Sequence, residues 1–289
     1  MATHDRQTVQ LFYNRSSGRH CSKRLAVLRS RLEANGATVI LSECGPGSEI
    51  AIGEDVSHIC AVGGDGTIRH VALALCRSGR SLPMSIYPGG TVNLVHRELA
   101  SPVDPDLHAL RVLRGGGASQ LYSVEINDSL FLACASVGPD SRAVACLSPG
   151  LKRRIGRLAY AAAFFRLLAK WPRQPIRLRS PDREMVCEAF YVAKGRFFAG
   201  PWSFAPAAQL AEPLLHVIAL ERATRRDYFR FLWALFRGRR LDDLPRIAAF
   251  TCTSLSADAD HRLPVQADGD IVANLPVRLN LRSDPIALC

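Results

Sequence analysis

Between Thr8 and Tyr87 the chain alternates short apolar runs with longer stretches whose apolar residues recur every three or four positions. Thr8 to Asn14, Thr38 to Leu41, His58 to Val62 and Met84 to Tyr87 have the length and composition of buried strands. Leu25, Leu28 and Leu32 mark one face of a helix that Gly36 stops, and Ile68, Val71 and Leu75 mark a second that ends near Gly79. Strands and helices in alternation predict an α/β domain with a parallel sheet. A further helical piece, Leu107 to Leu113, precedes the glycine run Gly115 to Gly117, which we read as the boundary between a first domain, 1–117, and a second, 118–289.

Beyond that break the period changes to two. Tyr122, Val124 and Ile126 alternate with polar residues, Asn127 and Asp128 supply a turn, and Leu130 and Leu132 resume the pattern, which predicts an antiparallel hairpin. Ile176 to Arg179, Cys187 to Ala193, Leu214 to Leu220, Ala248 to Ser254 and Val277 to Leu281 are further strand candidates. The second domain is therefore expected to be β-rich and sandwich-like, with two inserted helices.

Composition adds limits. With 48% hydrophobic and 22% charged residues among 289, the chain can bury ordinary globular cores. No apolar run approaches the roughly 20 residues of a membrane span, and the first residues lack the basic and apolar regions of a signal peptide, so a cytoplasmic location is expected. Nine cysteines, an odd number without a CxxC pair, read as small reduced core residues and indicate no metal site. The net charge of +11 calls for an anionic partner: nucleic acid, nucleotide phosphate or an acidic lipid surface.

In a parallel α/β sheet the loops after the strands open on one edge, where ligands bind. Three such loops carry glycines and short polar side chains: Asn14 to His20 with Ser17 and Gly18; Gly63, Gly64, Asp65, Gly66 and Thr67; and Pro88 to Asn93 with Gly90, Thr91 and Asn93. Glycine lets backbone NH groups approach an anion, and a following helix N-terminus adds partial positive charge, so phosphate is the expected guest. Thr67 and Thr91 are each placed to cap a helix or meet a phosphate oxygen. Asp65, a carboxylate among such amides, either coordinates Mg2+ or fixes its own turn.

The Gly63 to Thr67 loop, followed by "YPGGTVNLVHREL", resembles the diacylglycerol kinase catalytic-domain family, which includes bacterial lipid kinases and sphingosine kinases. Asn14, Ser17 and Gly18 match that family's first loop, with Arg15 in place of its proline. Further likenesses lie in Ser136 to Val144, in "LKRRIGRLAY", in "GRFFAGPWSFAPAAQL" and in "VQADGDIVANLP", so the resemblance covers nearly the whole chain. It implies ATP bound in the first domain with Mg2+, a lipid alcohol in the second, and Asp268 as general base. Asp270, which the resemblance implies reaches toward the nucleotide or metal, stands one methylene shorter where the family has glutamate; Glu43 falls near its second-strand threonine, and Ala211 to Val217 has lost several of its carboxylates. No role passes to Glu43, and an extra structural metal is not expected. A homodimer is compatible with the resemblance.

Two basic, aromatic stretches, Leu151 to Arg173 and Arg225 to Arg240, suit helices on an anionic bilayer. Core packing is the simpler reading for Leu158 to Ala169, whereas Phe229 to Phe236 is apolar nearly all round and points to lipid or substrate contact. A peripheral position at the inner membrane surface would explain the charge without nucleic acid. The nearest rival is an NAD kinase, which shares the glycine loop but has a characteristic Asn-x-Gly-x-Leu-Gly segment that is missing here. A degenerate relative that binds without transferring is the other.

Overall fold

A computed structural model describes residues 7–15, 17, 22–45, 48–115, 119–146 and 173–289. The basic stretch 151–172 and Gly18 lie outside these residues. The chain forms two compact units, Met1–Leu121 with Asp284–Cys289, and Tyr122–Ser283.

The first unit is built on β1 (Thr8–Tyr13), β2 (Thr38–Glu43), β3 (His58–Gly63), β4 (Met84–Pro88) and β5 (Ser119–Leu121). The sheet order is β2-β1-β3-β4-β18-β5, with β18 (Ile286–Leu288) contributed by the end of the chain. Pairing is parallel from β2 through β18 and antiparallel between β18 and β5. The sheet is thus mixed rather than purely parallel, and the last six residues join the first unit instead of ending in the second. Ile286 and Leu288 are apolar and buried, and insertion beside β4 pairs a backbone edge that would otherwise be open.

Helices α1 (Ser22–Ala34), α2 (Asp65–Ser78), α3 (Leu94–Leu99) and α4 (Pro105–Leu113) belong to this unit. Leu25, Leu28 and Leu32 of α1 pack with Val9 and Leu11 of β1, Val62 of β3 and Val112 of α4 in one core. Gly79 closes α2 in the left-handed conformation, φ 66°. Helix α4 starts two residues before the apolar pattern because Asp104 accepts from the Asp106 and Leu107 amides, both at 3.0 Å, and Pro105 occupies the first turn.

The second unit stacks two six-stranded sheets. One runs β10-β9-β14-β17-β6-β7 and the other β13-β12-β11-β8-β15-β16. Their strands are β6 (Val124–Ile126), β7 (Ser129–Phe131), β8 (Cys134–Val137), β9 (Ile176–Ser180), β10 (Arg183–Cys187), β11 (Ala189–Ala193) and β12 (Leu215–Leu220). The set continues with β13 (Ile247–Cys252), β14 (Ser254–Asp258), β15 (Pro264–Ala267), β16 (Asp270–Asn274) and β17 (Val277–Leu281). Ile126, Phe131, Ile176 and Leu279 from one sheet meet Phe190, Val192, Leu215 and Val265 from the other in a single core.

The runs Cys187 to Ala193 and Ala248 to Ser254 each read as one strand in sequence but are two in the structure. At Glu188 and at Thr253 the chain leaves one sheet for the other, so apolar pattern continues through a corner. Helices α5 (Pro139–Cys146) and α6 (Arg225–Phe236) complete the unit among the described residues.

Candidate functional site

The order β2-β1-β3-β4 reverses between β1 and β3, the switch point at which open α/β sheets bind ligands. The three glycine-bearing loops follow β1, β3 and β4 and are tied to one another there. Ser17 Oγ donates to the Gly89 carbonyl at 2.6 Å, joining the first loop to the third. The Gly89 amide donates to the Gly63 carbonyl at 2.8 Å, joining the third to the second.

Gly64 and Gly90 are glycine because the two loops touch backbone to backbone: a Cβ on Gly90 would lie 2.4 Å from Gly64 Cα and 2.6 Å from Asn93 Oδ1. Gly63 likewise makes room for Thr67, whose Cβ would sit 2.6 Å from an added methyl. Asn93 adopts φ 53° and closes its own turn, accepting from the Gly90 amide at 3.0 Å and donating Nδ2–H to the Gly90 carbonyl at 2.9 Å.

Asp65 is buried in the first turn of α2, where its Oδ1 accepts from the Val95 amide of α3 at 3.3 Å. The carboxylate therefore faces the positive ends of two helices, which answers why an acid stands among these amides. Thr67 and Thr91 do not cap. The capping positions fall on Gly64 and Asn93, Thr67 is buried against Gly63, and Thr91 is exposed. Asn14 and Gly66 are half-buried on the same edge. Arg15 and Glu43, both unlike the resembling family, pair with each other at 3.1 Å on the exposed rim.

In the second unit Asp268 sits in the turn between β15 and β16 at φ 48°, followed by Gly269 at φ 88°. Its buried carboxylate accepts three backbone amides: Leu132 at 2.8 Å on Oδ2, and Ala133 at 2.9 Å and Cys134 at 3.1 Å on Oδ1. Three of the roughly four acceptor directions of a carboxylate are so occupied. Asp270, the first residue of β16, is half-buried.

Sequence reading missed a buried polar cluster next to this turn. Ser136 Oγ lies 2.5 Å from Asp140 Oδ2 and 3.0 Å from Gln266 Oε1, and a single hydroxyl proton cannot serve both acceptors. Burial raises the Asp140 carboxyl above its ordinary range, against the hydrogen bond from Ser136 that lowers it. Tyr191 and Tyr228, whose hydroxyl oxygens are 3.5 Å apart, are likewise pushed well up by burial and stay protonated beside it. Ser136 in β8 and Gln266 in β15 are polar residues within apolar strands and Asp140 stands in the first turn of α5; the segments that hold them carry the family likeness, but their mutual contact is not written in the sequence.

Among the described residues no group of three or more His, Cys, Asp and Glu side chains is set to hold a metal. Asp65 is one carboxylate rather than a cluster, which fits Mg2+ carried in by a phosphate chain better than a metal caged by protein. Glu212, within the carboxylate-poor segment, is instead bonded to Gln209 at 3.0 Å.

Comparison with known proteins matches residues 8–125 to the diacylglycerol kinase catalytic domain and residues 133–289 to the YegS C-terminal NAD kinase beta sandwich-like domain. A diacylglycerol kinase of Staphylococcus carnosus is 24% identical over 287 residues, 96% of this chain and 93% of that protein. One of Bacillus subtilis is 23% identical over 277 residues, covering 93% and 91%. A Pseudomonas aeruginosa protein named "Probable lipid kinase YegS-like" is 28% identical over 235 residues, covering 81% and 76%. In fold, a solved diacylglycerol kinase from Bacillus anthracis superposes with a TM-score of 0.74 at 16% identity, covering 98% of this chain and 96% of that one.

Proposed function

Because the chain belongs to the diacylglycerol kinase catalytic-domain family, we propose that it is a lipid kinase that moves the γ-phosphoryl group of ATP onto a hydroxyl of a membrane lipid. The observation that carries this reading is the set of three glycine loops locked together at the β1/β3 switch point. Their backbone amides, with Asn14, Ser17, Gly18, Gly66 and Thr91, cradle the phosphate chain. Asn93 holds the third loop in shape for that task. Mg2+, when bound, supplies charge neutralisation on the phosphates, and Asp65 is the residue that would hold it.

Asp268 takes the proton of the lipid hydroxyl, whose oxygen then bonds to the γ-phosphorus while the bond to the bridging β–γ oxygen breaks and ADP leaves. The three amides already on Asp268 favour a second reading, in which Asp268 pins the turn and Asp270 accepts the proton. The acceptor lipid is diacylglycerol-like, or sphingoid- or ceramide-like, and the enzyme works at the inner membrane surface. The test is incubation with labelled ATP and Mg2+ alongside separate diacylglycerol, sphingoid base, ceramide and NAD acceptors. Label in a lipid phosphate is expected; label in NAD alone, or in no acceptor, would refute the proposal.

A further inference from the structure

Helix α6 carries two apolar stripes. Tyr228, Phe231, Ala234 and Leu235 are buried in their own unit, and this stripe has the spacing of an ordinary core face. Phe229, Trp233 and Phe236 recur at i, i+4 and i+7 on roughly the opposite side, and they are 68%, 48% and 52% exposed. A helix that needed only to pack on its own sheet would place polar residues there. Trp202 extends the outer stripe, its ring 4.9 Å from that of Phe236.

Charge surrounds this ridge on one side. Arg226, Arg230 and Arg237 follow one margin of the stripe at helical spacing. At the start of the helix, Arg222, Arg225, Arg226, Arg230 and Arg246 line a cavity of about 610 Å³. Asp227 is the carboxylate on that cavity wall, and it is committed to the helix cap, accepting from the Thr224 hydroxyl at 2.5 Å. Five arginines beside one engaged acid make the cavity a place for phosphate oxygens.

We propose that the outer face of α6 docks on an anionic phospholipid bilayer, with Phe229, Trp233 and Phe236 entering the interface and the arginines holding lipid phosphates. Rings with basic margins match the layered chemistry of such a surface, apolar below and negative above. Single-stranded RNA fits less well, because base stacking needs free ring faces. Phe229 lies stacked toward Trp233 one turn before it, at 18° and 6.4 Å, and the Arg237 guanidinium covers Trp233 from one turn after, at 4.6 Å. The proposal rests on the lipid-kinase reading only for its purpose, since binding is measured without turnover.

The full chain is floated with phosphatidylcholine vesicles with and without phosphatidylglycerol. Wild type is expected to bind the anionic vesicles, less so as salt rises. Phe229→Ser with Trp233→Ser, and separately Arg226→Glu with Arg230→Glu, are each expected to lower partitioning about tenfold or more. Their unfolding midpoints and their phosphorylation of detergent-dispersed lipid alcohol are expected to match wild type. Equal binding to neutral and anionic vesicles would overturn the proposal. So would undiminished binding by either variant, or retention on single-stranded RNA in place of vesicles. Vesicle binding that behaves as expected in a chain that phosphorylates no lipid would support the docking face and defeat the kinase reading alone.

Discussion

Asp268 and Asp270 stand two residues apart with different surroundings, and substitution separates their tasks. Asp268→Asn turns an NH2 group toward backbone amides that Oδ1 and Oδ2 now accept. We expect a lower unfolding midpoint together with a loss of turnover of about 100-fold or more. Asp270→Asn is expected to keep the midpoint, and its turnover decides the base: retained activity leaves the proton with Asp268, loss transfers it to Asp270. Gly90→Ala puts a methyl 2.4 Å from Gly64 Cα, so it should cost about 1–3 kcal/mol by denaturant titration and weaken ATP binding, because both loops must part. His58 and His108 supply a pH test. Burial lowers both to about 4 from an ordinary 6.5, so the unfolded chain binds more protons than the folded one between those values. Their contribution is present above about 6.5 and is lost as pH falls toward 4, so the melting temperature of the first unit should drop across that window. A flat profile there would show that these imidazoles do not stay neutral inside.

At the scale of elements, helix α6 shows what periodicity reveals and what it conceals. The apolar residues at Phe229 to Phe236 were legible, but their division into an inner and an outer stripe depends on which side the rest of the unit covers. Its start is fixed by a capping box in which Thr224 accepts from the Asp227 amide and Asp227 accepts from the Thr224 amide, both at 3.3 Å. Thr224→Ala should therefore destabilise the second unit by about 0.5–2 kcal/mol, read from chemical denaturation, with no change in nucleotide affinity. Strands behaved similarly. Their apolar runs were legible, but the corners at Glu188 and Thr253 were not, because a chain that passes between two stacked sheets remains apolar on both sides of the bend.

At the scale of the molecule, the return of Asp284–Cys289 makes the first unit discontinuous. Deleting these six residues would separate β5 from β4 and expose the buried Ile286, Leu288 and Cys289 sites. The truncated chain should lose amide-exchange protection first in β4 and β5, whereas unchanged protection there would mean that β18 contributes little. Residue type alone carries the α/β-then-β order and the three loops, since backbone room, chain reversal and apolar period are local demands. It also places an acid, Asp65, within the second of those loops. What each acid touches comes from folding: Val95 for Asp65, Arg15 for Glu43, and for Asp268 the amides of Leu132 to Cys134, more than a hundred residues earlier in the chain. Backbone amides are the same in every residue but proline, so no side-chain pattern announces that partnership; it exists once two strands remote in sequence lie side by side.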